Sequence, residues 1–110
     1  MNTAPNNIEP DFGLDEQVIS KIRSIFADTP AVEQVIIYGS RAKGDYRPAS
    51  DIDLTIIGSA MKWEDLQAIE LKIDDLLLPY KTDLSLYDQI DNENLIEHIK
   101  RAGKVFYERA

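Results

Sequence analysis

The sequence contains no cysteine, and it has little positive charge, with 12 Lys and Arg residues against 20 Asp and Glu residues. The absence of cysteine excludes a disulfide framework, a thiolate zinc site and a cysteine nucleophile, and it is compatible with the cytoplasmic location that we expect. The net charge of −8 repels phosphate backbones, so we expect no direct binding to nucleic acid. Because no apolar run approaches about 18 residues, we also expect no membrane contact.

What remains is the composition of a folded domain. The 110 residues are 44% apolar and 29% charged, which is typical of globular proteins, and this length leaves no room for a second complete domain. Residues 1–12 are rich in Asn and Pro and show no periodicity. We therefore expect a disordered N-terminal arm over residues 1–12 and a single domain over residues 13–110.

Apolar periodicity predicts an α/β (α+β) fold in the order helix, strand, short helix, strand, helix, strand, helix. Helical spacing covers residues 14–28, 63–78 and a last segment ending near Gly103, while β-branched or alternating runs cover 32–38, 51–57 and 81–87. We expect a small mixed three-stranded sheet, to which residues 105–107 would add a short strand. Trp63 is expected in the core, and His98, the single histidine, at the surface.

Two aspartates at the start of the second predicted strand form the most informative pattern. Asp51 and Asp53 are two residues apart, so their side chains point to the same face of the strand, about 6–7 Å apart along the chain. Two carboxylates that face one spot repel each other, and a hard divalent cation such as Mg²⁺ removes that repulsion because it prefers oxygen ligands. The pair predicts half of a metal site.

A glycine and a serine before the dyad predict the complementary half. Gly39 and Ser40 follow the first predicted strand and begin a short helical turn over residues 40–44, with Ser40 as the expected N-cap and Gly44 as the terminator. Glycine lets the backbone approach a phosphate, and the free amides of the turn can donate hydrogen bonds to it. Arg41 and Lys43 add positive charge, so residues 39–43 predict a phosphate cradle.

A third carboxylate would complete a site for two metal ions. Asp83 is the candidate, thirty residues after Asp53 in the third predicted strand. Its neighbours Leu84 and Leu86 belong to the other face of that strand, so Asp83 and Ser85 would face the dyad if the strand pairs beside it. Each feature alone is weak, but the combination predicts a site for a nucleoside triphosphate with Mg²⁺.

The combination resembles the signature of the DNA polymerase β-like nucleotidyltransferases. The residues that carry the resemblance are Gly39-Ser40, Arg41, Gly44, Ser50 and Asp51-Ile52-Asp53-Leu54, and the ending IKRAGKVFYE is similar to the closing segment of the small prokaryotic branch, the minimal nucleotidyltransferases (MNT). The resemblance implies that Gly39 and Ser40 hold the triphosphate of ATP and that Asp51 and Asp53 bind two Mg²⁺ ions. It also implies that Asp83 binds the catalytic ion and helps to deprotonate the acceptor hydroxyl.

Members of that branch pair with HEPN-domain ribonucleases as antitoxin and toxin. The resemblance therefore implies a protein adenylyltransferase, which moves AMP from ATP onto a hydroxyl of a HEPN partner, with tyrosine as the expected acceptor, and so silences its RNase. Two alternatives stay open. One is nucleotidyl transfer to a small molecule such as an aminoglycoside, and the other is a non-catalytic antitoxin that neutralises its partner by binding.

Overall fold

The computed structural model describes residues 11–110, so the predicted arm lies outside the described residues except for its last two positions. Asp11 and Phe12 belong to a 3-10 turn, Asp11–Gly13, and the ring of Phe12 packs 6.0 Å from that of Phe106. The elements that follow are α1 (Glu16–Ala27), β1 (Gln34–Tyr38), α2 (Ser40–Lys43), β2 (Ile52–Ile57), α3 (Trp63–Asp74), β3 (Thr82–Leu86), α4 (Glu93–Ala102) and β4 (Lys104–Glu108).

The four strands form one mixed sheet in the order β3-β2-β1-β4. β1 pairs antiparallel with β2 and with β4, whereas β3 pairs parallel with β2. The predicted α/β fold and its element order are therefore confirmed, and residues 104–108 form the added fourth strand at one edge. The longest helices have 12 residues, and within residues 11–110 no helix could cross a membrane.

One face of the sheet carries the main hydrophobic core. Strand side chains such as Ile37, Leu54 and Ile56 lie fully or almost fully buried against Phe26 of α1 and Ile69 of α3. Burying an aliphatic or aromatic side chain of this size stabilises the fold by about 1.5–3 kcal/mol. This face therefore fixes where β1 and β2 lie, and with them the residues at their ends.

The opposite face carries α4, which covers only part of the sheet. Ile99 is the one residue of α4 that is buried, and Gly103 brings the end of the helix close to β1, since a Cβ built on Gly103 would lie 2.7 Å from Ile36 Cγ2. On this face Asp53, Asp83 and Ser85 remain at least partly accessible, whereas Thr55 is buried. This partly open face is where the predicted site residues lie.

The expectation that Trp63 lies in the core is wrong. It begins α3 at its helical position, but its side chain is 62% exposed because no other element of residues 11–110 covers the start of this helix. Leu66, Ile69 and Ile73 of the same stripe are buried as predicted. Trp63 instead lines an open groove of about 390 Å³ together with Met61, Leu84 and Ile90.

Candidate active site

Strand register brings Asp53 and Asp83 side by side. In the parallel pairing of β2 with β3, Asp53 is opposite Asp83, and in the antiparallel pairing of β1 with β2 it is opposite Tyr38. Residues that are directly opposite project from the same face, and neighbouring strands lie about 4.8 Å apart. The structure therefore places Asp83 next to the dyad, as the sequence predicts, although nothing in the alternation of β3 itself specified that pairing.

The pKa of Asp53 reflects the proximity of the other two carboxylates. Partial burial, the negative charge of Asp83 and then that of Asp51 raise the pKa of Asp53 above its ordinary value of 3.8, and Lys81 and His98 oppose the increase. Asp51 and Asp83 are both exposed, while Asp53 is half-buried between them. The ionised form of Asp53 is therefore destabilised in the folded protein. This is typical of functional carboxylates rather than of residues selected for stability.

The predicted cradle begins at the end of β1, directly beside these carboxylates. Gly39 adopts φ 78° and ψ −158°, a region that is open essentially only to glycine, and a Cβ at this position would lie 2.5 Å from Asp53 Oδ2. Gly39, rather than Ser40, is the N-cap of α2, so the predicted cap is displaced by one residue. Ser40 is partly exposed as the first residue of the helix, and amides at a helix start have no partner within the helix.

Arg41 has a structural environment that differs from the predicted one. Its side chain is 2% exposed, and the guanidinium donates hydrogen bonds to the carbonyl oxygens of Phe12 (2.9 Å), Gly13 (3.3 Å), Pro48 (3.2 Å) and Ser50 (2.9 and 3.1 Å). A guanidinium has five N–H donors, so these bonds engage it fully. The structure favours Arg41 as the residue that ties the loop before Asp51 to the start of the domain, instead of a group that faces a nucleotide.

Lys43 lies at the exposed end of α2. Its ammonium group is 3.7 Å from Asp45 Oδ2, and both side chains are more than half exposed. Such a surface ion pair is worth at most about 1 kcal/mol, so it leaves Lys43 free to exchange its partner for another anion.

A polar network lies behind the carboxylates on the same face of the sheet. Ser85 Oγ donates a hydrogen bond of 3.0 Å to Oγ1 of Thr55, which is fully buried. Tyr38 is 8% exposed. Burial, followed by the charges of Asp53 and Asp83, raises the pKa of Tyr38 above 10.0 although the side chain of Ser85 lowers it, so the phenol is neutral at physiological pH.

His98 is the residue that the sequence interpretation missed. It was expected at the surface, but it is half-buried, its ring packs edge-on against Tyr38 at 6.2 Å, and Nε2 accepts a hydrogen bond of 3.2 Å from the amide of Gly39. The only signal in the sequence was its position directly before Ile99 on the apolar stripe of α4. The contact with Gly39 depends on tertiary packing and cannot be read from a helical repeat.

Whether the site can bind a metal ion depends on the number and type of side-chain ligands that it offers. Within residues 11–110, no group of three His, Asp or Glu side chains stands close enough to hold a metal ion as it is. The carboxylates of Asp51, Asp53 and Asp83 nevertheless supply the hard oxygen ligands that Mg²⁺ prefers, and the repulsion recorded in the pKa of Asp53 is what a divalent cation would relieve. The donor set fits Mg²⁺ by this criterion.

Together, the mixed sheet, the glycine-serine turn and the carboxylates beside it define a nucleotidyltransferase fold. The family model "Polymerase beta, Nucleotidyltransferase" matches residues 20–110, which include every candidate site residue. The chain belongs to this family. Among curated protein sequences, none gives a significant match.

Solved structures show the same fold at low sequence identity. The chain is similar to one in a crystal structure of a toxin–antitoxin with AMP-PNP, with a TM-score of 0.67 and 19% identity over 83% of this chain and 73% of the other. It is also similar to one in the complex of a tri-AMPylated Shewanella oneidensis HEPN toxin with an MNT antitoxin, with a TM-score of 0.64 and 16% identity over 87% and 74%. A third similarity is to the MntA–HepT toxin–antitoxin, with a TM-score of 0.62 and 16% identity over 86% and 74%.

Proposed function

We propose that the chain is a Mg²⁺-dependent nucleotidyltransferase that transfers AMP from ATP to a hydroxyl of a HEPN ribonuclease, with tyrosine as the expected acceptor, and so acts as the antitoxin of that toxin. The family membership supports nucleotidyl transfer, and the similarity to antitoxin chains in complexes with HEPN toxins, one of them AMPylated, supports the partner. The observation that carries the proposal is the register that sets Asp83 beside Asp53, next to the turn at Gly39.

The reaction balances as a substitution at the α-phosphorus of ATP. The acceptor oxygen forms the new bond to phosphorus, the bond from phosphorus to the bridging α–β oxygen breaks, and pyrophosphate leaves. Asp83 takes the hydroxyl proton, since it is exposed at the edge strand where an acceptor can approach. The Gly39–Ser40 turn holds the triphosphate through the Ser40 amide and the serine hydroxyl, and Lys43 adds a mobile positive charge.

Asp51, Asp53 and Asp83 would hold the magnesium after rotation of exposed side chains towards a common point. When it is bound, the metal supplies charge neutralisation for the triphosphate and the pyrophosphate. The protein's own contribution is then largely to position the acceptor and the nucleotide and to exclude other orientations.

The test is incubation of the protein with Mg·ATP and the HEPN ribonuclease proposed as its partner, followed by intact mass spectrometry. We expect a gain of whole AMP units on the partner and a loss of its RNase activity. Asp53→Asn should abolish the gain, while Asp75→Asn, an exposed substitution of the same type at the end of α3, should leave it unchanged.

Three results would separate this proposal from its alternatives. Full transfer by Asp53→Asn would remove the metal assignment. RNase inhibition that persists with Asp51, Asp53 and Asp83 all replaced by Asn would show that the antitoxin acts by binding alone. Transfer to a small hydroxyl compound with no modification of the partner would indicate a small-molecule transferase.

A further inference from the structure

The amide of Gly39 has a partner from a distant part of the chain. Most of the turn is held by local bonds, such as those from Lys43 N–H to the Gly39 carbonyl (3.1 Å) and from Gly44 N–H to the Ser40 carbonyl (2.9 Å). The Gly39 N–H instead donates to His98 Nε2, fifty-nine residues later in α4. An acceptor so far along the chain fixes the turn relative to another element, which local bonds cannot do.

α4 can serve as a support because it is anchored on the sheet at Ile99 and at Gly103. Ile99, the residue after His98, is 5% exposed, and the close approach at Gly103 leaves no space for a side chain between the helix end and Ile36. The imidazole also packs edge-on against Tyr38, with 6.2 Å between the ring centroids. His98 therefore presents Nε2 to Gly39 from a ring that also contacts Tyr38.

The backbone of Gly39 needs such support. Its φ and ψ lie in a region that costs other residues of the order of 1–3 kcal/mol, and glycine itself has many alternatives there because it lacks a Cβ. The hydrogen bond from the Gly39 N–H to His98 selects one of these backbone conformations. Together with the bond from Lys43 N–H to the Gly39 carbonyl, that selection sets the direction of the next peptide, which links Gly39 to Ser40.

We propose that His98 is a positioning residue for nucleotide binding, which accepts the Gly39 amide hydrogen through Nε2 and thereby holds the Gly39–Ser40 peptide in the orientation that receives the triphosphate. The inference rests on the proposed function of this turn. For Nε2 to accept, the imidazole must be neutral with its proton on Nδ1. His98 touches the turn rather than the nucleotide, so its effect is confined to the part of the ligand that the turn holds.

Two substitutions separate the hydrogen bond from the packing of the ring. His98→Phe keeps an aromatic ring against Tyr38 but has no acceptor, and His98→Gln loses the ring but carries an amide oxygen that reaches about as far as Nε2. Glu97→Gln, an exposed change on the preceding residue of α4, is the matched control. All four proteins would be compared by amide hydrogen exchange at Gly39 and by calorimetric titration with Mg·AMP-PNP and with AMP.

We expect His98→Phe to speed exchange at Gly39 and to weaken Mg·AMP-PNP about tenfold, the usual scale for one hydrogen bond, while AMP affinity changes less than about twofold. His98→Gln and Glu97→Gln should match the wild type. Unchanged AMP-PNP affinity in a folded His98→Phe protein would overturn the inference, and so would an equal loss for AMP, or an equal loss in His98→Gln. A wild-type chain with no affinity for AMP-PNP would overturn the proposed function as well, and the Gly39 exchange rates would then show separately whether the hydrogen bond exists.

Discussion

Replacement of Arg41 by Met tests whether this residue is a structural tie. Methionine keeps the length and apolar stem of the side chain but removes every donor, so the carbonyl oxygens of Phe12, Gly13, Pro48 and Ser50 lose their partner. The guanidinium carbon also lies 5.4 Å and 4.9 Å from the ring centroids of two tyrosines, Tyr46 and Tyr80. Both kinds of contact disappear in the variant.

The structure sets the size of the expected loss. Pro48 is exposed, so water can replace its bond, whereas Phe12, Gly13 and Ser50 are partly buried. Three shielded carbonyls cost about 1 kcal/mol each, at the low end for an orphaned group, and two cation–π contacts add about 0.5 kcal/mol each. The total is about 4 kcal/mol, or a decrease in Tm of about 16 °C for a domain near 100 residues.

Urea denaturation followed by circular dichroism measures this loss directly. Arg47→Met is the matched control, because it removes the same charge from an exposed residue of the same loop and should change stability by less than about 0.5 kcal/mol. A loss below about 1 kcal/mol for Arg41→Met, or equal losses for the two variants, would refute the structural role of Arg41 and return it to the candidate nucleotide contacts.

Two further predictions concern the carboxylates and the turn. Since the folded-state pKa of Asp53 is raised, the folded protein binds its proton more readily than the unfolded chain, so ionisation of Asp53 destabilises the fold as the pH rises through that pKa. Asp53→Asn should therefore be more stable than the wild type at pH 7 by urea titration, with a gain that shrinks as the pH falls towards 3.8, and a loss of stability at pH 7 would contradict the repulsion. Gly39→Ala should destabilise the fold by about 1–3 kcal/mol, because of the positive φ at this position and the clash with Asp53 Oδ2. Gly44→Ala is the control, since Gly44 also has a positive φ but open space around it, and it should cost less. Equal losses of stability would show that the clash at Gly39 is relieved at no cost.

The boundaries of the elements illustrate what a periodic pattern can predict. Helix α3 was expected to continue to residue 78 but ends at Asp74, because Leu76 and Leu77 extend the apolar spacing without the helical backbone. Leu77 lies at φ 54° and is 87% exposed, so its apolar side chain is not evidence of a buried face. The spacing reports where apolar side chains recur, and only packing decides whether another element covers them.

The candidate site likewise combines features that local sequence predicts with features that depend on tertiary packing. Asp51 directly precedes β2 and Asp53 is the second residue of that strand, so their proximity follows from a separation of two residues in the chain, and the turn at Gly39 follows from a glycine at a strand end. The place of Asp83 required the parallel pairing of β3 with β2, which alternation alone does not choose. Arg41 was placed in the cradle because it is charged, but it is buried against four carbonyl groups from two separate segments, residues 12–13 and 48–50.

The sequence by itself determined the α/β class, the order of the helices and strands, and the short motifs that carry charge and glycine, because these depend on residues within one turn or one strand of each other. Tertiary structure alone decided which strands are neighbours, that Trp63 is exposed, and that His98 holds Gly39. Those outcomes depend on contacts between residues far apart in the chain, whose free energy is shared among many side chains and leaves no local pattern.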